Sequence, residues 1–384
     1  MNNSSCIFFL LLTIAVAFST WGCSKKNRHE TNDSTDALSE MANSHAKGFS
    51  ISKEDGFTKV AIANPWANGD GKPYAVYYLY QNDSVQVPDD GFRLKTPISS
   101  IIVNTFSYFE FLHQLGELDK VVGVSDGSRI YNPVILEKIR NGEIIDLGDP
   151  FNPNLEKSLM LQADAVVASA YAQQDTYNER MQKTGLPIIY SLEWMENSPL
   201  ARAEWIKLIA AFFNKSEMAD SIFNEIEKRY VANKEVAKTA SNYPSILAGD
   251  NFQGTWYMPG GGSFNAVLFA DAGIDYHFKD NGDAGSIGLD IETVLTRFHA
   301  VDLWFGSESD SYSELEGKGR KYLLLQPVKN KRVFSNRNRI TPGGGNDYFE
   351  SAILFPDLLL RDLIKASHPE LLTDVEFTYL KPLN

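Results

Sequence analysis

Leu147–Ser169 reads LGDPFNPNLEKSLMLQADAVVAS, and the fold turns on this stretch. Asn152–Leu161 places apolar residues at helical spacing, while Ala163–Ala170 is a short unbroken apolar run of the kind that forms a buried strand. The same alternation continues on both sides. Upstream, Ile98–Asn104 reads as a strand, Ser107–Gly116 as a helix closed by a glycine, and Val121–Ser125 as a strand. Downstream, Leu186–Ser191 is another strand. Apolar strands separated by helices predict a parallel sheet covered on both faces.

The pattern then changes. Ser216 to Ala240 carries no Gly or Pro, and Met218, Ile222, Ile226 and Tyr230 recur every fourth residue with Ala219 and Phe223 beside them. Asn214, with Glu217 three residues later, has the spacing of a capping box. Such a helix would be about 37 Å long at ~1.5 Å per residue. A second strand-and-helix series follows. Its strands are Pro244–Asp250, Ala300–Gly306 and Lys331–Asn336, and its helices are Gly262–Gly273, Ile291–Phe298 and Phe355–Ser367. The expected architecture is α/β: two Rossmann-like lobes, 98–215 and 241–384, bridged by one long helix, 216–240, with a ligand cleft between them. Ahead of them, Phe57–Tyr80 alternates around Asn68–Gly71 and predicts a β-hairpin. It is assigned to an extension, 51–97, packed at the edge of the first lobe.

The N-terminus reads as an export signal. Cys6–Ser19 is apolar but too short to span a bilayer comfortably, and Gly22-Cys23 ends it in the manner of a lipoprotein cleavage site. Residues 1–22 are therefore expected to be removed, with lipid carried on Cys23 and 23–50 serving as a polar, flexible tether. The chain has only two Cys, and this reading uses both, leaving no thiol or disulfide. A net charge of −13 argues against nucleic acid as a partner.

With these pieces in order, the chain resembles the substrate-binding proteins of ABC importers for ferric siderophores, haem and cobalamin. The resemblance runs from about Ile98 to the end. It rests on LGELDKVVGVS, the Leu147–Ser169 stretch, LPIIYS, the long helix, WYMPGGGSFNAVLFADAG, LDIETVLTRFHAVDLWFG and LLLRDLIKASHPELL. It implies a periplasmic, lipid-anchored monomer in a Gram-negative envelope, partnered by a permease and its ATPase. It also implies that one Glu on each lobe's rim docks on Arg residues of the permease. Glu156 in NPNLE and Glu292 in LDIET stand at the matching places. Each starts a helix, where the dipole favours a carboxylate.

Ligands of this family lie between the lobes. The loops expected there supply the aromatics Tyr108, Tyr131, Phe151, Tyr171, Trp256, Tyr257 and Tyr348, and the cations Arg129, Arg337 and Arg339. Aromatics give rigid contact area and Arg pairs with anionic chelates. A ferric siderophore is the first expectation, with cobalamin and haem behind it. No cofactor is expected beyond the transported chelate. PGGG occurs at Pro259–Gly262 and Pro342–Gly345, but without the Lys-Ser/Thr of a P-loop. Both copies read as backbone permissiveness beside the cleft, the second also as a mobile loop. Only six His are present, with no HExxH or CxxC, so a direct metal-ion site is not expected. Without a GxSxG elbow or a mature thiol, neither is an enzyme. A surface binder with no transporter is the rival of another class.

Overall fold

The computed structural model describes residues 40–41, 43–66, 71–172 and 176–384. The signal segment, Cys23, most of the tether and Asn68–Asp70 of the expected turn lie outside the described residues. Among the described residues, no helix is long and apolar enough to cross a membrane.

The described chain opens with β1 (Glu40–Met41), β2 (Phe49–Glu54), β3 (Phe57–Ile62), β4 (Ala75–Tyr80) and β5 (Phe92–Lys95), hydrogen-bonded in that order. The expected hairpin is β3–β4, with Phe57 opposite Tyr80 and Ile62 opposite Ala75. It is the centre of a five-stranded sheet, since an isolated hairpin is marginal in water. The sheet also begins inside the stretch read as tether, a correction with a clear cause. Of residues 44–48 only Ala46 reaches the core, so packing alone does not hold them. Instead, Ser44, His45 and Ala46 donate their backbone N–H groups to the Glu204 carboxylate at 2.9, 2.8 and 2.7 Å. Lys47 and Gly48 donate to Glu196 at 3.0 and 2.8 Å.

In the first lobe, β6 (Ile101–Val103), β7 (Val121–Val124), β8 (Ile145–Asp146), β9 (Ala165–Ser169) and β10 (Ile188–Ser191) form an all-parallel sheet of order β10-β9-β6-β7-β8. Its edge at β10 is covered by the N-terminal sheet. The Tyr77 hydroxyl donates to the Ile188 carbonyl at 2.8 Å and accepts from the Tyr190 N–H at 2.9 Å. This leaves fewer free backbone groups on an exposed edge.

The second lobe contains β11 (Ser245–Ala248), β12 (Asn251–Phe252), β13 (Thr255–Pro259) and β14 (Asp275–Tyr276). After these come β15 (Ser286–Leu289), β16 (Leu303–Phe305), β17 (Val333–Ser335) and β18 (Lys381–Pro382). The main sheet runs β14-β11-β16-β17-β18, parallel except for β18, and β12-β13-β15 form a small antiparallel sheet beside it. Both lobes fasten a central strand with the same clip. Asp164 accepts the Ser99 and Ser100 N–H groups at 2.7 and 3.0 Å, and Asp302 accepts the Ser245 N–H at 2.7 Å.

One helix, Ser216–Ala237, links the lobes. Its buried seam is Ala219, Phe223, Ile226, Tyr230 and Ala237, a 3.6-residue period. The four-residue recurrence drifts off that seam, so Met218 is 44% exposed. The expected cap also differs: Asn214 adopts a left-handed conformation (φ 57°), and Lys215 takes the cap position without a side-chain bond. The helix packs on Ile206–Phe212 of the first lobe and Pro356–Ser367 of the second. Ion pairs mark both contacts, Lys207–Asp220 at 3.2 Å and Arg229–Asp357 at 2.6 Å, and Lys234 adds a third to Asp271 of helix Phe264–Asp271 at 2.6 Å.

Candidate functional site

A cavity of about 1160 Å³ lies between the lobes. Its first-lobe wall includes Phe106, Arg129, Trp194, Met195 and Arg202. The second lobe adds Asp250, Tyr257, Phe264, Arg337, Tyr348 and Phe349, among others. Most of these side chains come from loops and element ends, where open α/β sheets place their ligands. Tyr257 projects from the middle of β13 and Arg202 from helix Pro199–Ala203.

The expected ligand residues separate into three groups. Arg129, Tyr257, Arg337 and Tyr348 line the cavity. Phe151 and Tyr171 stand exposed at 73% and 42% and continue into the wall as a ladder of rings. Phe151 lies 6.3 Å from Tyr171, and Tyr171 lies 5.8 Å from Trp194. Tyr108, Tyr131, Trp256 and Arg339 are not part of the wall. Tyr108 is fully buried in the first-lobe core against Phe111. Burial raises its hydroxyl pKa well above the usual range. Trp256 is also fully buried, donating its indole N–H to the Ala248 carbonyl at 2.8 Å. Period-2 alternation along β13 explains this, because Trp256 and Met258 face inward while Tyr257 faces out. Arg339 pairs with buried Asp347 at 2.9 Å and sits 5.8 Å over the Tyr131 ring.

Charge within the cleft is largely balanced. Arg337 lies 3.3 Å from Asp310 and 4.0 Å from Glu308. Asp310 is partly buried, yet Lys381 and Arg337 hold its pKa below the usual carboxylate range. Arg202, only 13% exposed, pairs with Glu193 at 3.6 Å and crosses to the second lobe over the Phe264 ring at 4.1 Å. Arg129 has a looser partner, Asp126 at 3.6 Å, and its side chain is 66% exposed. It is the cleft cation best placed to meet an anionic ligand. Half-buried Asp250 accepts the Asn251 and Glu308 N–H groups at 2.7 Å each, and desolvation raises its pKa. Among the described residues, no three His, Cys, Asp or Glu are grouped to hold a metal ion.

Trp194, Arg202 and Phe349 are wall residues that the sequence reading missed. Trp194 is 38% exposed on the short helical turn Glu193–Met195, an exposure that apolar periodicity does not announce. The two PGGG segments do different work. Gly260–Gly262 presses against the backbone of 278–283, where a Cβ on Gly261 would stand 2.0 Å from the Phe278 oxygen. Gly343 and Gly345 press on the opposite lobe, with Cβ positions 2.4 Å from the Ser128 oxygen and 2.1 Å from the Ile130 oxygen. The segment once expected to be mobile is thus packed against its neighbour.

Glu156 and Glu292 are exposed in the first turns of helices Leu155–Met160 and Ile291–Arg297. Asn154 and Asp290 cap those turns, accepting the Lys157 and Thr293 N–H groups at 2.9 and 2.7 Å.

A family model described as periplasmic binding protein matches residues 101–337. An uncharacterized lipoprotein of Methanocaldococcus jannaschii is 28% identical over 335 residues, covering 80% of this chain and 78% of that protein. Among solved structures, a possible iron-binding periplasmic solute-binding protein from Staphylococcus epidermidis superposes with a TM-score of 0.55 at 18% identity. That match covers 71% of this chain and all of the other. The periplasmic vitamin B12 binding protein of Vibrio cholerae gives a TM-score of 0.53 at 18% identity, covering 71% and 98%.

Proposed function

The chain belongs to the periplasmic binding protein family, and from that premise we propose that it is the solute-binding lipoprotein of an ABC importer for a ferric siderophore. The observation that carries this reading is the 1160 Å³ cavity walled by both lobes. It exceeds the ~300–1,000 Å³ of ordinary small-molecule sites and so suits a bulky ligand. Aromatic rings supply its contact area and Arg129 its accessible positive charge. A saturated chelate brings its own metal coordination, which fits a wall without a grouped set of ligating side chains. Lipid on Cys23 anchors the protein on the periplasmic side of a Gram-negative envelope, and as a monomer it delivers the chelate to a permease driven by its ATPase. The protein itself does no chemistry and carries no resident cofactor. Cobalamin is the second reading, favoured by cavity size and by the limited free positive charge.

Native mass spectrometry of the protein mixed with ferric siderophores, cobalamin and haem tests this directly. Retention of a ferric siderophore supports the proposal, retention of cobalamin or haem replaces it, and retention of none sinks the importer reading. With the retained ligand, Trp194→Ala is expected to lower affinity about tenfold through lost aromatic contact. Tyr108→Phe is expected to leave affinity unchanged. Titration calorimetry on both variants measures this.

A further inference from the structure

Glu350 belongs to the second lobe, directly after the short helical turn Asp347–Phe349, and is 3% exposed. One of its carboxyl oxygens accepts the backbone N–H of Tyr131, and the other accepts that of Asn132 at 3.0 Å. Tyr131 and Asn132 belong to the first lobe. They follow the turn Gly127–Arg129 and lead into helix Pro133–Arg140, which Asn132 caps. The same first-lobe loop receives Gly343 and Gly345, which come so close to its backbone that no side chain fits between. Arg129 at one end of the loop and Phe349 beside Glu350 both line the cavity.

We propose that Glu350 is a positioning residue of the cleft: its carboxyl group fastens the Ser128–Asn132 loop across the lobe boundary, fixing Arg129 and governing how readily the lobes part. An apolar contact would hold two surfaces together at lower cost than a buried acid. A buried acid gains its place by satisfying two backbone donors that lie on the other lobe. The surroundings make this fastening sensitive to charge. Asp347 and Glu110 face it as further carboxylates, with Gln114 bonded to Glu110 at 2.7 Å and His113 nearby. Arg339, paired with Asp347, is the nearby cation, and the Tyr379 hydroxyl bonds to Ser351 at 2.9 Å. Burial, then Asp347 and Glu110, push the Glu350 pKa up to about 8 against the two amides.

The sign of the pH effect follows. The closed contact binds a proton more tightly than a solvated glutamate does. Closure is therefore fully favoured only below the ordinary value of 4.5, weakens steadily as pH rises from there, and levels off once pH has passed about 8.

The role in the cleft rests on the solute-binding reading, but the test needs no ligand. Hydrogen exchange would be followed on the ligand-free full chain in detergent, over peptides spanning 127–135. In Glu350→Ala, the Tyr131 and Asn132 amides should exchange about tenfold faster, while β9 and β11 are unchanged. In the wild type, protection of 127–135 relative to β9 should fall as pH rises from 4.5 to about 8 and level off above it. In Glu350→Gln, which keeps the shape without the titration, that fall should be absent. Unchanged exchange in Glu350→Ala overturns the proposal. So does a pH profile that is the same in the wild type and Glu350→Gln, and this second measurement holds even if the alanine variant does not fold.

Discussion

Reversing both rim carboxylates, Glu156→Lys with Glu292→Lys, should reduce uptake at least a hundredfold while leaving solute affinity as it is. Both groups are exposed, each in the first turn of a capped helix on its own lobe. Neither lines the cavity. If they meet Arg residues on a permease, each reversal replaces an attractive pair with like charges, and such juxtapositions cost several kcal/mol. Two on one interface should therefore abolish productive docking. Uptake of radiolabelled solute by cells carrying the double variant measures the loss, and titration calorimetry measures affinity. Weakened affinity with normal uptake would move both residues out of the docking surface and into the cleft.

The second large effect concerns stability. Glu204→Ala should cost roughly 3–5 kcal/mol, because it removes a fully buried acceptor and leaves its partners stranded. Three backbone amides of residues 44–46 converge on this carboxylate, and Lys207 sits 3.0 Å from it. Burial opposes its ionisation, but the amides and Lys207 prevail and its pKa lies below the ordinary value of 4.5. The stabilisation is thus fully present above pH 4.5 and is lost as pH falls through the depressed folded value. Chemical denaturation at neutral pH should show the full deficit for Glu204→Ala. The gap between wild type and Glu204→Gln should narrow as the solution is acidified. Equal stability of wild type and alanine variant at neutral pH would show that residues 44–46 hold without Glu204.

Much of the fold was legible because burial leaves periodic marks. The strand at 101–103, the helix at 216–237 and the two α/β series all announce themselves in apolar spacing. Polar fastening leaves no such mark. Nothing in Ser44–Gly48 predicts that Glu204 and Glu196, some 150 residues later, will collect its amides. The cleft was legible in part for a related reason. Loop positions can be inferred from strand ends, but the direction of a side chain there depends on one residue of register. Trp256 and Tyr257 are neighbours on β13, yet one is core and the other is cavity wall. Tyr108 looked like a loop aromatic but is the second residue of helix Ser107–Gln114, turned inward. Trp194 and Arg202 lie in a stretch, Glu193–Trp205, that the strand-and-helix pattern did not place.

The fastening at Ser44–Gly48 also sets a length. With β1, which starts at Glu40 seventeen residues after Cys23, it leaves a span of at most about 60 Å at ~3.4 Å per residue. With lipid on Cys23, as proposed, the two lobes would patrol a shallow dome above the bilayer rather than the whole compartment. A permease in the same membrane would then meet the binder only within that layer, at an effective concentration set by the density of anchored protein. In so thin a layer a docking contact need not be tight to be occupied.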